Sequence, residues 1–274
     1  MPRRLPGGGL YKGRVNGLFF HPSAVYLNPR RRPRTTHAMN LLGSLFSSSI
    51  GRKFLMAFTG LVLFGFVTGH LVGNLQIFLP PEKINHYGHM LESLGGGLWL
   101  IRLFLLACVV VHIWLAIQLT LENRAARPES YGIDKINRAT LASRVMARTG
   151  VVVLAFIIYH LLHFTVRAQH PEWSEHTYRL ADGTMVRDVY RMVVQGFSSL
   201  GVSAFYVVAV GLLSYHLAHG ISSMFQTFGL KNENWTRGLE RFAAAYCWAY
   251  FLLNALIPLS VLGYVPVLSG LIQR

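Results

Sequence analysis

Residues 54–79 read FLMAFTGLVLFGFVTGHLVGNLQIFL, an apolar run with no Asp, Glu, Lys or Arg and one histidine, His70. A helix rises ~1.5 Å per residue, so roughly 20 residues cross a hydrocarbon core of ~30 Å, and this run is long enough. Four more apolar runs of crossing length follow at about 98–121, 145–166, 200–225 and 242–264. In lipid the backbone must satisfy its own amides, so each run is expected to be a helix. Composition agrees: 52% of residues are hydrophobic and 14% charged, against about 25% charged in a soluble domain. The expected fold is all-α, a bundle of five membrane-spanning helices over 40–274 with a basic, disordered tail at 1–39. No second soluble domain fits in what remains.

A formal net charge of +15 raises nucleic acid as a partner, but the basic residues sit at the ends of the apolar runs rather than along a surface interleaved with aromatics. Arg30, Arg31, Arg32, Arg34, Arg52 and Lys53 precede the first run, and Arg124, Arg127, Lys135, Arg138, Arg144 and Arg148 cluster between the second and third. Between the first and second runs the only basic residue is Lys83. The positive-inside rule then puts the N-terminus inside and the C-terminus outside, and Lys231, Arg237 and Arg241 after the fourth run agree. Membrane lipid, not nucleic acid, is the expected partner of these charges. The two cysteines, Cys108 and Cys247, both fall inside spans, which disfavours a disulfide framework, a thiolate zinc site or an iron–sulfur cluster.

Between the runs the sequence is informative at three places. Met39 is an alternative start, because the ordered pattern begins with Asn40-Leu-Leu-Gly-Ser-Leu-Phe, the composition of a short interfacial helix. Pro80-Pro81 stops the first span, and Asn85-His-Tyr-Gly-His-Met-Leu-Glu after it is expected to form a short helix at the outer interface. The longest loop, 167–199, carries Asp182-Gly183 between two short alternating runs, a hairpin signal, and then an amphipathic piece at 186–197. No phosphate-binding glycine loop and no nucleophile–base pair stands out.

An ionisable side chain inside a span is costly and is by default a functional candidate. Six histidines lie in spans: His70, His112, His160, His163, His216 and His219. The first four spans carry at least one each and the fifth carries none. Counting at ~1.5 Å per residue from the span midpoints, His70 and His160 lie roughly 6 Å towards the outside, while His112 and His216 lie on the cytoplasmic side of centre. Two histidines at one depth on facing helices are what a haem iron needs, one axial nitrogen on each face. The expected pairs are His70 with His160 for an outer b haem and His112 with His216 for an inner one, within a four-helix di-haem core. His163 and His219 each follow a ligand by three residues, on nearly the same face, at depths that suit a haem propionate. Gly65, Gly69 and Gly73 recur near His70, and Gly220 flanks His219; such small residues let a macrocycle or a second helix come close.

The run Ser47-Ser-Ser-Ile-Gly-Arg-Lys-Phe-Leu-Met-Ala-Phe-Thr-Gly-Leu, with Gly69-His-Leu-Val-Gly-Asn-Leu, Asn85-His-Tyr-Gly-His, Tyr159-His-Leu-Leu-His-Phe and Tyr215-His-Leu-Ala-His-Gly, resembles the cytochrome b558 membrane subunit of succinate dehydrogenase and fumarate reductase. The resemblance covers about 40–264. It implies a multi-pass anchor in a bacterial cytoplasmic membrane that holds two haem b groups through His70, His112, His160 and His216. It also implies a flavoprotein (FAD) subunit and an iron–sulfur subunit docked on the cytoplasmic face, with quinone, commonly menaquinone, as electron partner. The aromatic residues Tyr159 and Tyr215 select His160 over His163 and His216 over His219. Some relatives place a Glu two residues before the fourth-span ligand; Ser214 stands there, so a proton route through that position is not expected.

For quinone, Ser48, Ser49 and Arg52 offer donors at the inner interface, and His86, His89 and Glu92 offer groups at the outer one. Nothing in the chain binds FAD or oxidises a dicarboxylate; any part in catalysis is electron transfer. Two other readings stand beside this one. One is the cytochrome b anchor of another respiratory dehydrogenase, such as a hydrogenase or formate dehydrogenase. The other is a transporter of haem or protons, which calls for discontinuous helices or internal repeats; the reading of the sequence finds neither.

Overall fold

The computed structural model describes residues 43, 46–125 and 141–272. The tail at 1–39, most of the segment expected to form an interfacial helix, and the loop at 126–140 lie outside the described residues. The long helices are α1 (Ser49–Asn74), α3 (Gly96–Ala125), α4 (Leu141–His160), α6 (Leu200–Thr227) and α7 (Thr236–Val261). The shorter elements among the described residues include α2 (Pro81–Ser93), the strands β1 (Thr177–Arg179) and β2 (Met185–Arg187), α5 (Val189–Phe197) and α8 (Pro266–Ile272). Five helical stretches are long and apolar enough to cross a membrane: Ser49–Phe78, Gly96–Ala125, Met146–Thr165, Leu200–Thr227 and Thr236–Val261. The chain is thus a mostly helical, multi-pass membrane protein.

Helix ends differ from the apolar runs by a turn or so, and polar chemistry sets them. α1 starts before Phe54 because the Ser48 side chain accepts the Gly51 N–H at 3.0 Å, a standard N-cap. Arg52 in its first turn forms an ion pair with Glu122 at 2.6 Å, which carries α3 past residue 121. α7 likewise begins at Thr236, ahead of the apolar run, and ends at Val261 rather than at 264. Pro80-Pro81 does more than stop the first span: Pro81 stands at the start of α2, where its missing N–H costs nothing. Glu92, expected near the outer end of the second span, sits in the last turn of α2, where it pairs with Arg187 at 3.0 Å.

The hairpin forms as expected, antiparallel with Tyr178 opposite Val186 and with Gly183 at φ +88° in its turn. Helix α2 packs against β2 and α5. Asn85, fully buried, locks that layer: its Nδ2 donates to Asp188 Oδ1 at 3.2 Å and its Oδ1 accepts the Tyr190 N–H at 2.9 Å. Asp188 also caps α5 by accepting the Arg191 N–H.

Among the long helices, α1 packs on α3 and α6, α4 on α6, and α6 on α7. The filled core lies at the hairpin end, where Leu71, Ile77, Phe197, Tyr206, Ala209, Tyr250 and Ile257 meet. A second patch joins Ile221 of α6 to Ala243 and Cys247 of α7. Tyr246 Oη from α7 sits 2.7 Å from Thr68 Oγ1 of α1. The fifth spanning helix therefore serves packing and carries no histidine. Helix α3 contributes only Cys108 and Leu115 to the buried set, so aliphatic packing is thin where the four histidine-bearing helices face one another. The cysteines are buried free thiols.

Candidate functional site

The histidines arrive at this site from opposite helices. His70 on α1 and His160 on α4 face each other with ring centroids 5.7 Å apart and planes at 87°. Two imidazoles on opposite sides of one metal ion, at ~2 Å per metal–nitrogen bond as in zinc–imidazole sites, put their centroids about 6 Å apart. The observed approach is close to that. Around His70 the surface of α1 is uncovered: Gly65, Phe66, Gly69 and His70 are exposed, and a Cβ added at Gly65 or Gly69 would meet nothing within 4 Å. Gly73, read from sequence as part of the same stripe, has another task, since a Cβ there would lie 2.7 Å from the Tyr87 ring of α2.

His112 on α3 and His216 on α6 have matched surroundings on neighbouring helices. His112 Nδ1 lies 3.1 Å from Thr59 Oγ1, and its Cε1 would lie 3.5 Å from a Cβ at Gly60. His216 Nδ1 lies 3.3 Å from Thr149 Oγ1, and its Cε1 would lie 3.7 Å from a Cβ at Gly150. Each threonine hydroxyl is also within reach of a carbonyl on its own helix, Leu55 at 2.9 Å and Met146 at 3.0 Å. A hydroxyl has one proton, and in a helix it goes to the i−3 or i−4 carbonyl. The oxygen is then left to accept from imidazole Nδ1–H, which leaves Nε2 with a free lone pair, the state of a neutral metal-ligating imidazole.

His160 Nδ1 likewise lies 3.4 Å from the Tyr206 hydroxyl. The same hydroxyl is 3.0 Å from His163 Nδ1. The two histidines meet at one oxygen because α4 does not continue as a regular helix: Leu161–Thr165 form a π-turn. His163, 3% exposed, is sealed among Phe164 at 4.1 Å, Trp173 at 5.5 Å and Tyr206 at 5.8 Å. His219 is placed at the other end, its Nε2 3.0 Å from Ser223 Oγ. Among the interface candidates, Ser48 caps α1, and Ser49 and Arg52 both engage Glu122. His86 is exposed and His89 half-buried on α2.

The threonines were missed in reading the sequence, yet they belong to a legible pattern. Thr59-Gly60, Phe66 and His70 on α1 recur as Thr149-Gly150, Phe156 and His160 on α4, each His eleven residues after its Thr and four after its Phe. The phenylalanines play equivalent parts, Phe66 lying 5.5 Å from His70 and Phe156 5.8 Å from His160, centroid to centroid. In each copy the Thr-Gly step seats the histidine of the next spanning helix. The spans are continuous as expected, α4 passing through the π-turn without a break, while the recurrence of Thr-Gly, Phe and His at equal spacing on α1 and α4 is a pattern that the sequence reading did not anticipate.

Among the described residues no three His, Cys, Asp or Glu side chains converge as a metal cage. The facing imidazoles of His70 and His160 suit an ion that brings its remaining ligands with it. Comparison with protein-family models, with curated proteins and with solved structures gave no match.

Proposed function

We propose that this chain is a membrane cytochrome b, the anchor subunit of a succinate:quinone oxidoreductase, with two haem b groups held by His70 with His160 and by His112 with His216. The observation that carries the reading is that His112 and His216 turn Nδ1 to the hydroxyls of Thr59 and Thr149, whose own protons go to helix carbonyls, and so present Nε2 inside the membrane. The uncovered face of α1 beside His70, with two glycines open to it, fits a planar macrocycle. Haem b supplies reversible one-electron exchange at its iron when bound. Thr59 and Thr149 would hold the imidazoles of His112 and His216 in one tautomer, and the eleven residues from each Thr to the His of its own helix would set the two pairs at different levels of the bundle. The resemblance in motif adds the rest: a flavoprotein and an iron–sulfur subunit docked on the face that bears the N-terminus, quinone or menaquinone as electron partner, and a bacterial cytoplasmic membrane with the N-terminus inside. The chain itself carries no dicarboxylate chemistry.

A reduced-minus-oxidised spectrum of the purified chain tests this. The expected result is b-type bands amounting to two haems per chain, and a folded, haem-free preparation would refute it. His70→Ala and His160→Ala should abolish the same haem, and His112→Ala and His216→Ala the other. If His70→Ala and His112→Ala abolish the same one, the pairing is wrong. Recovery of a covalently flavinylated partner from the membrane supports the succinate assignment; recovery of a hydrogenase or formate dehydrogenase moves the cytochrome to another enzyme. A transporter of protons or haem is the second reading, and the recurrence of Thr-Gly, Phe and His on α1 and α4 is the feature it would share. In that case haem would be absent or substoichiometric.

A further inference from the structure

At the hairpin end of the bundle, away from the histidine pairs, α3, the end of α4 and strand β2 enclose an open cleft of ≈ 340 Å³, lined by Glu92, Leu98, Trp99, Arg102, Arg167 and Arg187 among others. Three guanidinium groups thus share one cleft with one carboxylate, and that carboxylate is taken by Arg187 at 3.0 Å. Arg102 lies over the Trp99 ring at 5.1 Å. Arg167 is the one described non-glycine residue with positive φ, +58°, a conformation that costs about 1 kcal/mol or more outside glycine. Its Nε donates to Ser174 Oγ at 2.9 Å, which fixes the plane of the guanidinium. Its pKa is lowered by burial first and then by Arg187 and Arg102, against an opposing pull from Glu92. Like charges held together at a backbone cost need a counter-charge. Trp99, exposed beside Leu98, has the amphipathic character of residues at the membrane–water boundary.

We propose that this cleft binds a phosphate group, that of an anionic phospholipid headgroup, with Arg102 and Arg167 as its forks, Arg187 as the third cation, and Trp99 and Leu98 against the glycerol and first acyl carbons. Guanidinium matches phosphate oxygens two at a time, and the cleft opens where an apolar span begins. The site does not depend on the haem reading.

Native mass spectrometry of the full chain, released from detergent after exchange into phosphatidylglycerol or phosphatidylcholine, reads the occupancy. One phosphatidylglycerol should be retained per chain and phosphatidylcholine should not. Arg102→Gln should lower that retention about fivefold, the effect typical of one basic residue at a membrane surface, with Arg102→Lys between the two. Arg102 is exposed, so its variants are expected to fold. Arg179→Gln on the hairpin is the control and should change nothing. Displacement of the lipid by millimolar inorganic phosphate keeps the phosphate site but assigns it to a soluble ligand. Equal retention of both lipids, or an equal loss in Arg179→Gln, overturns the proposal.

Discussion

A threonine among apolar residues attracts no notice, yet Thr59 and Thr149 fix which nitrogen of His112 and His216 is free. Thr59→Val keeps shape and loses the hydroxyl, so His112 loses its Nδ1 partner. Removing such an outer partner typically weakens a metal ligand 10–100-fold. On the proposed haem reading, the expected outcome is selective loss or a spectral shift of the haem assigned to His112 and His216, while the one assigned to His70 and His160 stays; Thr149→Val should give the same selectivity. An equal effect of Thr59→Val on both haems would contradict the assigned roles. The histidines themselves were legible, because an ionisable group within 54–79 or 98–121 stands out against its neighbours. The threonines were not, because a hydroxyl that bonds to its own helix costs little in lipid. Only pairing each with a histidine on another helix exposed the repeat. The π-turn at Leu161–Thr165 was hidden for a similar reason: it is a choice among backbone hydrogen-bond patterns that apolar side chains do not report.

At the scale of elements, the motif Asn85-His-Tyr-Gly-His divides its labour in a way its letters do not show. Asn85, Tyr87 and Gly88 are structural: Asn85 bridges to α5, Tyr87 lies against Gly73, and a Cβ at Gly88 would come 2.9 Å from Val189 Cγ2. Gly73→Ala should therefore lower thermal stability by about 1–3 kcal/mol through overpacking, and Tyr87→Leu in the same chain should recover part of it. Were Gly73→Ala neutral by itself, the α1–α2 packing would be wrong. The hairpin adds a pH prediction. The Thr184 N–H bonded to Asp182 holds that carboxyl below its usual value, so the folded hairpin binds fewer protons than the open one. Its contribution is present above the ordinary carboxylate pKa of about 3.9 and is lost as pH falls through the lower folded value. Proteolysis between 177 and 187 should rise in acid, and Asp182→Asn should flatten that rise. Element existence was read from the sequence because length and apolarity dictate spans. Their ends were not, because Ser48, Glu122 and Thr236 extend helices by hydrogen bonds and ion pairs that a hydropathy window does not weigh.

For the whole molecule, the basic residues predict direction. With Cys108 and Cys247 buried, a cysteine placed at Glu175 should react with a membrane-impermeant maleimide from outside intact cells. One at Glu233 should react only after lysis. The reverse pattern would invert the assigned topology and put the arginine cleft on the inner face. The distribution of packing also bears on the molecule as a unit. Among the spanning helices the filled core joins α1, α4, α6 and α7 and takes nothing from α3, so on the proposed haem reading loss of haem is expected to loosen α3 before the rest, measurable as faster amide exchange in that helix.

The recurrence of Thr-Gly, Phe and His on α1 and α4 bears on assembly. Each histidine pair draws one member from α1–α3 and one from α4–α6, so neither half closes a pair by itself. A chain divided between Ala125 and Leu141 and co-expressed as two pieces should therefore need both pieces in the bilayer before either proposed pair forms.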